Sequence, residues 1–413
     1  MTKSNEYVFF KLGRNKELAE VEISTILEKV GINRKISYFQ WKEFLFVKIE
    51  KKEEQKVLQK IRETGSIVKV GSCFAKCNSE IEVKKVIPDK INQIIEKFSG
   101  KKEKIKFSIN LQIEKEKQKS FSEIVKNEIL KIAKDKRVEV KIIPKKGYSL
   151  ELSPYQYHKE NMPKRGVELI IFGIKSKLYL GETKWVTNPF FDIKLDEGRP
   201  ERLFTHGTSI KMARSLINLT NIKKGCKIVD PFSGTGTLLI VGLLQGYDVL
   251  GFEKDPRCVR VAKTNIRWAV DKYKLERSWK IYKNDARDMH KIISEKVDAV
   301  VTEPYLGPFL KTLPDLEEGK KIIHELEKLY AKVLYSCSQI LKDDSRVVII
   351  FPFYEYPDKT KLSINLERVI NGLSLELVEK TLHFNVSFPI SIGREHNIIS
   401  RQIVILKKNS MKQ

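Results

Sequence analysis

Residues 227–256, KIVDPFSGTGTLLIVGLLQGYDVLGFEKDP, constrain the fold more than any other stretch. An apolar run ends at Asp230. A turn then carries Gly234 and Gly236, a helical apolar pattern follows, and a second apolar run ends at Glu253. Two strand-like runs joined by a helix predict parallel neighbours, because antiparallel strands need only a short turn between them. The alternation continues downstream. Residues 258–273 read as a helix, 279–289 as a strand and polar turn, 297–307 as a strand and turn, 324–341 as a helix and 345–353 as a strand. This rhythm predicts a doubly wound, mostly parallel α/β sheet over 201–413. The segments 351–356 and 383–408 are expected to complete it.

The turn DPFSGTGT (230–237) is neither of the two common phosphate loops. No Lys-Ser/Thr follows its second glycine, and Leu239 stands where a third glycine would close a dinucleotide fingerprint. Its meaning comes from what lies beyond it. Glu253 closes the next strand about twenty residues on, where a doubly wound fold grips ribose hydroxyls. Asp285 stands at the end of the third strand, where a carboxylate can accept from an exocyclic amine. Glu303 closes the fourth, in the stretch VVTEPYLGPF (300–309). Four successive strand ends thus bring Asp230, Glu253, Asp285 and Glu303 to one rim.

The first half of the chain reads differently. Strands at 6–13 and 44–50 alternate with helices at 15–31 and 52–65, a βαββα rhythm that suggests a small α+β unit over 1–74. A second unit over 75–186 holds a helix at 81–98, with Pro88 as a candidate break, a strand at 105–114, a helix at 120–136, and strands at 138–144, 166–174 and 177–186. Residues 187–200, with two prolines and a glycine, read as a linker.

The net charge of +25 points to a polyanionic partner. It is not evenly spread: residues 101–150 carry 15 basic and 7 acidic side chains. Lys115, Lys117 and Lys119 are candidates for contacts to phosphates. The five cysteines are irregularly spaced. Cys73 and Cys77 lack a second Cys/His pair, so neither a disulfide framework nor a metal site is expected. No apolar run is long enough to span a membrane. The N-terminal residues do not read as a signal peptide, and a cytoplasmic location is expected.

The motifs GRPERLFTHGTSIKMARSLINL (198–219), VDPFSGTG (229–236), GFEKDP (251–256), NDARD (284–288) and TEPYLG (302–307) resemble those of the THUMP-domain tRNA guanine-N2 methyltransferases of archaea and eukaryotes. These are class I enzymes that use S-adenosyl-L-methionine. The likeness implies a C-terminal Rossmann-like methyltransferase sheet preceded by a ferredoxin-like α+β unit and a THUMP-like RNA-binding α/β unit. It implies that Asp230, Gly234 and Gly236 line the methionine part of the cofactor, Glu253 the ribose and Asp285 the adenine amine. His206, Thr208 and Ser209 fall in the loop that closes over it.

By the same likeness Glu303, Pro304 and Tyr305 form the catalytic turn, with tRNA as partner and room for a small accessory subunit. The family's turn is Asp-Pro-Pro-Tyr. Here Glu303 replaces the aspartate, Tyr305 the second proline and Leu306 the aromatic, and Phe309 is an alternative stacking ring. Arg394, His396 and Arg401 are expected near substrate phosphates or as polar tips of core strands. Two other readings stay open: an amino-methyltransferase acting on adenine N6 or on rRNA or DNA, and an inactive RNA-binding homologue.

Overall fold

The computed structural model describes residues 7–98, 103–144, 146–203, 207–393 and 398–410. The chain divides into two compact units. The first comprises Met1–Arg14, Ile36–Arg62 and Ile67–Phe191, and the second Asn15–Lys35, Glu63–Ser66 and Asp192–Gln413.

Among its described residues the first unit is built on one eight-stranded mixed sheet. Its strands are β1 (Tyr7–Leu12), β2 (Tyr38–Trp41), β3 (Phe44–Lys48), β4 (Ile67–Cys77), β5 (Ile105–Gln112), β6 (Val140–Ile143), β7 (Gly166–Ile174) and β8 (Lys177–Val186). Their order is β2-β3-β1-β4-β8-β7-β5-β6. The long β4 was not legible in the sequence, and it runs across residue 74, where the first small unit was expected to end. It reads poorly as a strand because Gly71, Ser72 and Cys73 interrupt its β-branched residues. The glycine is required: a Cβ at Gly71 would fall 2.2 Å from the Phe9 ring and 2.3 Å from the Glu182 carbonyl oxygen.

The helix Glu80–Phe98 passes through Pro88 without breaking. Proline in mid-helix costs roughly 3 kcal/mol. Burial of Val83, Ile87, Ile91, Ile94 and Ile95 along one face offsets that cost. Residues 187–200, read as a linker, contain the helix Pro189–Glu197.

The second unit carries β9 (Lys227–Asp230), β10 (Asp248–Glu253), β11 (Trp279–Lys283), β12 (Val297–Thr302), β13 (Leu341–Glu355), β14 (Lys361–Ser363), β15 (Leu375–Leu377), β16 (Ile390–Ile392) and β17 (Ser400–Lys408). The order is β11-β10-β9-β12-β13-β17-β15, with β14 on β13 and β16 on β17. The pairs from β11 to β13 are parallel and β17 is antiparallel to β13. The core is Val229, Phe252, Val300, Tyr330, Val347 and Phe351 with their neighbours. Strand order reverses between β9 and β12, and the crevice beyond their carboxyl ends is where open α/β sheets bind ligands.

The helix Lys16–Lys29 belongs to this second unit, not to the small N-terminal unit its position suggested. Its buried Glu22 explains why. The carboxylate accepts from the Gly65 N–H at 3.1 Å, the Ser66 N–H at 2.8 Å and the Ser215 hydroxyl at 3.0 Å. Ser215 lies on the helix Ile210–Leu219. A buried carboxylate needs such donors, and the second unit supplies them.

Candidate active site

Asp230 ends β9 and is 2% exposed. Its Oδ1 accepts from the Thr302 hydroxyl at 2.8 Å and from the Phe232 N–H at 3.1 Å. Thr302 ends β12, so one hydrogen bond ties the glycine turn to the strand that carries Glu303. Burial pushes the Asp230 carboxyl up to about 7, and the charges of Glu253 and Glu303 add to the rise.

Glu253 ends β10. One oxygen accepts from the Gly234 N–H at 3.1 Å, the other from the Asp255 N–H at 2.9 Å. Each keeps a second lone-pair direction for a ligand.

The two glycines of the turn do different things. Gly234 has φ +50° and Gly236 φ +88°, both in the left-handed region. A Cβ on Gly234 would meet nothing within 4 Å, so its face is open to a ligand. A Cβ on Gly236 would lie 3.3 Å from the Ala262 Cβ, so that glycine lets the helix Pro256–Tyr273 pack close. Gly251 matters as much. A Cβ there would fall 2.6 Å from Leu239 Cδ1 and 2.9 Å from the Ser233 hydroxyl, inside the turn. Gly251→Ala is expected to destabilise the chain by about 1–3 kcal/mol and to weaken ligand binding. Thermal melts with and without ligand read both effects, and an unchanged melting temperature would contradict the close packing.

The loop before the helix Ile210–Leu219 is held on the same side. Arg199 donates to the Thr237 hydroxyl at 2.8 Å and pairs with Asp196. The buried Asn265 side chain donates to the Glu201 and Thr235 carbonyls at 3.1 and 3.3 Å, stitching the loop to the glycine turn. Ser209 caps the helix, its hydroxyl accepting from the Met212 N–H at 3.2 Å. His206 lies outside the described residues.

Thr208 reaches further: its hydroxyl donates to Glu303 Oε2 at 2.6 Å. The other oxygen, Oε1, lies 2.7 Å from the Arg401 guanidinium on β17. The Glu303 side chain is 10% exposed. Arg401, expected beside substrate phosphates or as a polar strand tip, stands near the start of β17 and is the counter-ion of the candidate acid. Arg394 and His396 lie outside the described residues.

Pro304 is buried and Tyr305 is 55% exposed. The Tyr305 carbonyl accepts from the buried Tyr330 hydroxyl at 2.6 Å. Gly307 at φ +111° turns the chain, and Phe309 is 79% exposed. Two aromatic rings in the segment that follows the acid are therefore presented to solvent.

Asp285 is the most engaged of the four. It caps the 3-10 turn Ala286–Lys291, and the Arg287 guanidinium holds both its oxygens, at 2.9 and 2.7 Å. That pairing keeps its carboxyl below the usual range. Sequence reasoning missed Arg287, although its position two residues after Asp285 was a local signal. It also missed Asn265, Tyr330 and the pairing of Arg401, which had none.

Parallel strands delivering acids to the switch point, with a glycine turn open to a ligand, define a Rossmann-like α/β fold. Two family models match the chain: one described as RMKL-like, methyltransferase domain, over residues 199–368, and one described as DNA methylase over residues 4–264. The second spans more than half of the chain, and the chain belongs to the methyltransferase family that this model describes.

Two similar proteins are named tRNA (guanine(10)-N2)-dimethyltransferase. The one from Methanothermobacter thermautotrophicus is 33% identical over 163 residues, covering 38% of this chain and 44% of that protein. The one from Methanocaldococcus jannaschii is 31% identical over 162 residues, covering 38% of this chain and 40% of that protein. The chain thus spans less than half the length of either relative. The crystal structure of TrmN from Thermus thermophilus aligns over 97% of this chain and 99% of its own, with a TM-score of 0.47 and 13% identity.

The cofactor of such methyltransferases is S-adenosyl-L-methionine. The residues fit it: a cationic ligand suits a rim of carboxylates, and the face of Gly234 is open to close approach. Among the described residues, no group of three His, Cys, Asp or Glu side chains is arranged to hold a metal ion, and no helix is long and apolar enough to cross a membrane.

Proposed function

We propose that the chain transfers a methyl group to the exocyclic N2 of a guanine in tRNA. The observation that carries this reading is Glu303, held beyond β12 by Thr208 and Arg401 beside Pro304 and an exposed Tyr305. The names of the matched relatives support the choice of base and RNA. The strongly basic composition supports a polyanionic substrate.

Asp230, Gly234 and Glu253 would bind the cofactor, with Asp285 toward the adenine and Thr208 and Ser209 in the loop above. Bound there, the cofactor supplies an electrophilic methyl on a sulfonium. Glu303 accepts one N–H of the target amine and orients its lone pair. Pro304 fixes φ and aims its carbonyl as the second acceptor, since the next carbonyl is occupied by the Tyr330 hydroxyl. Tyr305 or Phe309 stacks on the base. The proton that the amine loses on methylation would go to Glu303 or to water. Most of the rate gain is positioning. An enzyme of tRNA maturation would work in the cytoplasm.

The DNA methylase match favours a second reading, an adenine amine in DNA. That match ends at residue 264, before the acid-proline turn. Mass spectrometry of nucleosides from cells with and without the gene separates the two. Loss of N2-methylated guanosine from tRNA is expected. Unchanged tRNA together with loss of a methylated adenine in DNA would replace the first reading with the second.

A further inference from the structure

The first unit contains an open cavity of about 750 Å³ whose lining includes Lys97, Phe98, Glu103, Lys164 and Arg165. Arg165 is the anomaly. It is 5% exposed, yet none of its three guanidinium nitrogens has a hydrogen-bond partner. Its Nε lies 3.2 Å from Glu103, whose side chain is 74% exposed. An ion pair that wet is screened and returns little, whereas a buried guanidinium without acceptors is costly. The nearby Lys106 and Lys141 are already matched, both to Glu160, at 3.1 and 2.6 Å. Among the described residues, the lining holds three cations against one carboxylate. A buried arginine facing such a cavity needs an anion, and its planar fork suits the paired oxygens of a phosphate.

We propose that this cavity seats a phosphate group, with Arg165 as the buried fork and Lys97 and Lys164 as cations at the rim. The phosphate belongs to an RNA strand: the cavity is open, and the densest basic window of the chain, 101–150, is in the same unit. The site is independent of the methyl-transfer reading, since none of its residues belongs to the second unit.

The test uses the full chain, a tRNA transcript and inorganic phosphate as probes. Arg165→Gln is expected to weaken RNA binding at least tenfold. The slope of log affinity against log salt should also fall by about one. The double variant Lys97→Gln/Lys164→Gln changes only exposed positions and should fold as the wild type does, with a several-fold loss. Millimolar phosphate should raise the melting temperature of the wild type but not that of Arg165→Gln.

Affinity for S-adenosyl-L-methionine should be unchanged in every variant, which separates failure here from failure of the second unit. Loss of the phosphate effect with unchanged RNA affinity would keep the phosphate site but make free phosphate its ligand. Unchanged RNA affinity together with an intact phosphate effect in Arg165→Gln overturns the proposal.

Discussion

Glu303→Gln is expected to lower methyl transfer by roughly 10²–10³-fold while leaving cofactor affinity within about threefold. Glutamine keeps the shape and one carbonyl acceptor but loses the charge. The target nitrogen becomes cationic as it takes the methyl, and a fixed carboxylate stabilises that charge where a neutral amide does not. The amide also places an N–H donor toward either Thr208 or Arg401. Thr208 can rotate its hydroxyl to accept, but the guanidinium cannot. Arg401→Met tests the same geometry from the other side. It leaves the acid in place without its anchor, and a loss of about tenfold in kcat with little change in cofactor affinity is expected. Normal turnover by Glu303→Gln would mean that the carboxylate takes no part in the chemistry.

Asp230→Asn should have two large and opposite effects. In the folded, cofactor-free protein the Asp230 carboxyl stays protonated up to about pH 7, whereas an unfolded chain titrates near its ordinary 3.8. A raised folded-state value gives stability that is fully present below the unfolded value and lost as pH rises through the folded one. The wild type therefore loses stability between about pH 4 and 7, by about 4 kcal/mol in total. Asparagine does not titrate, and its carbonyl can still accept from Thr302. The variant should match the wild type near pH 4 and exceed it increasingly up to pH 7, with a constant gap above. Denaturant melts across pH 4–8 measure this, and a gap independent of pH would show that Asp230 is not the titrating group. Cofactor binding should move the other way. A cationic ligand favours the ionised carboxylate, so the variant should bind it at least tenfold more weakly at pH 8.

The placement of the rim acids was largely legible in the sequence, because these residues close successive strands and strand ends need only local pattern to find. Asp230, Glu253 and Glu303 all stand there. The glycine turn was legible for the same reason, though not the division of labour between Gly234 and Gly236, which depends on what each Cβ would touch. Arg401 was visible as a charge but not as the partner of Glu303. The two are 98 positions apart, and they meet through an antiparallel return strand whose register no local signal sets. Asn265 and Tyr330 were hidden likewise, since helical periodicity marks a face without naming the loop that face will meet. In the first half, β4 was missed because its glycine answers to the crowding of Phe9 and not to strand propensity.

The helix Lys16–Lys29 has a consequence for the order of events at the ribosome. It is made early, but its lasting partners come late. Ser215 supplies a donor to Glu22, and His383 contacts the Ser24 hydroxyl at 3.0 Å. At typical synthesis rates, the 359 positions between Ser24 and His383 take roughly 20–70 s to translate. For that interval a helix with a largely apolar face is without its final packing. A nascent chain of this design depends on something to shelter that face, and truncations before the last strands should be far less soluble than the whole.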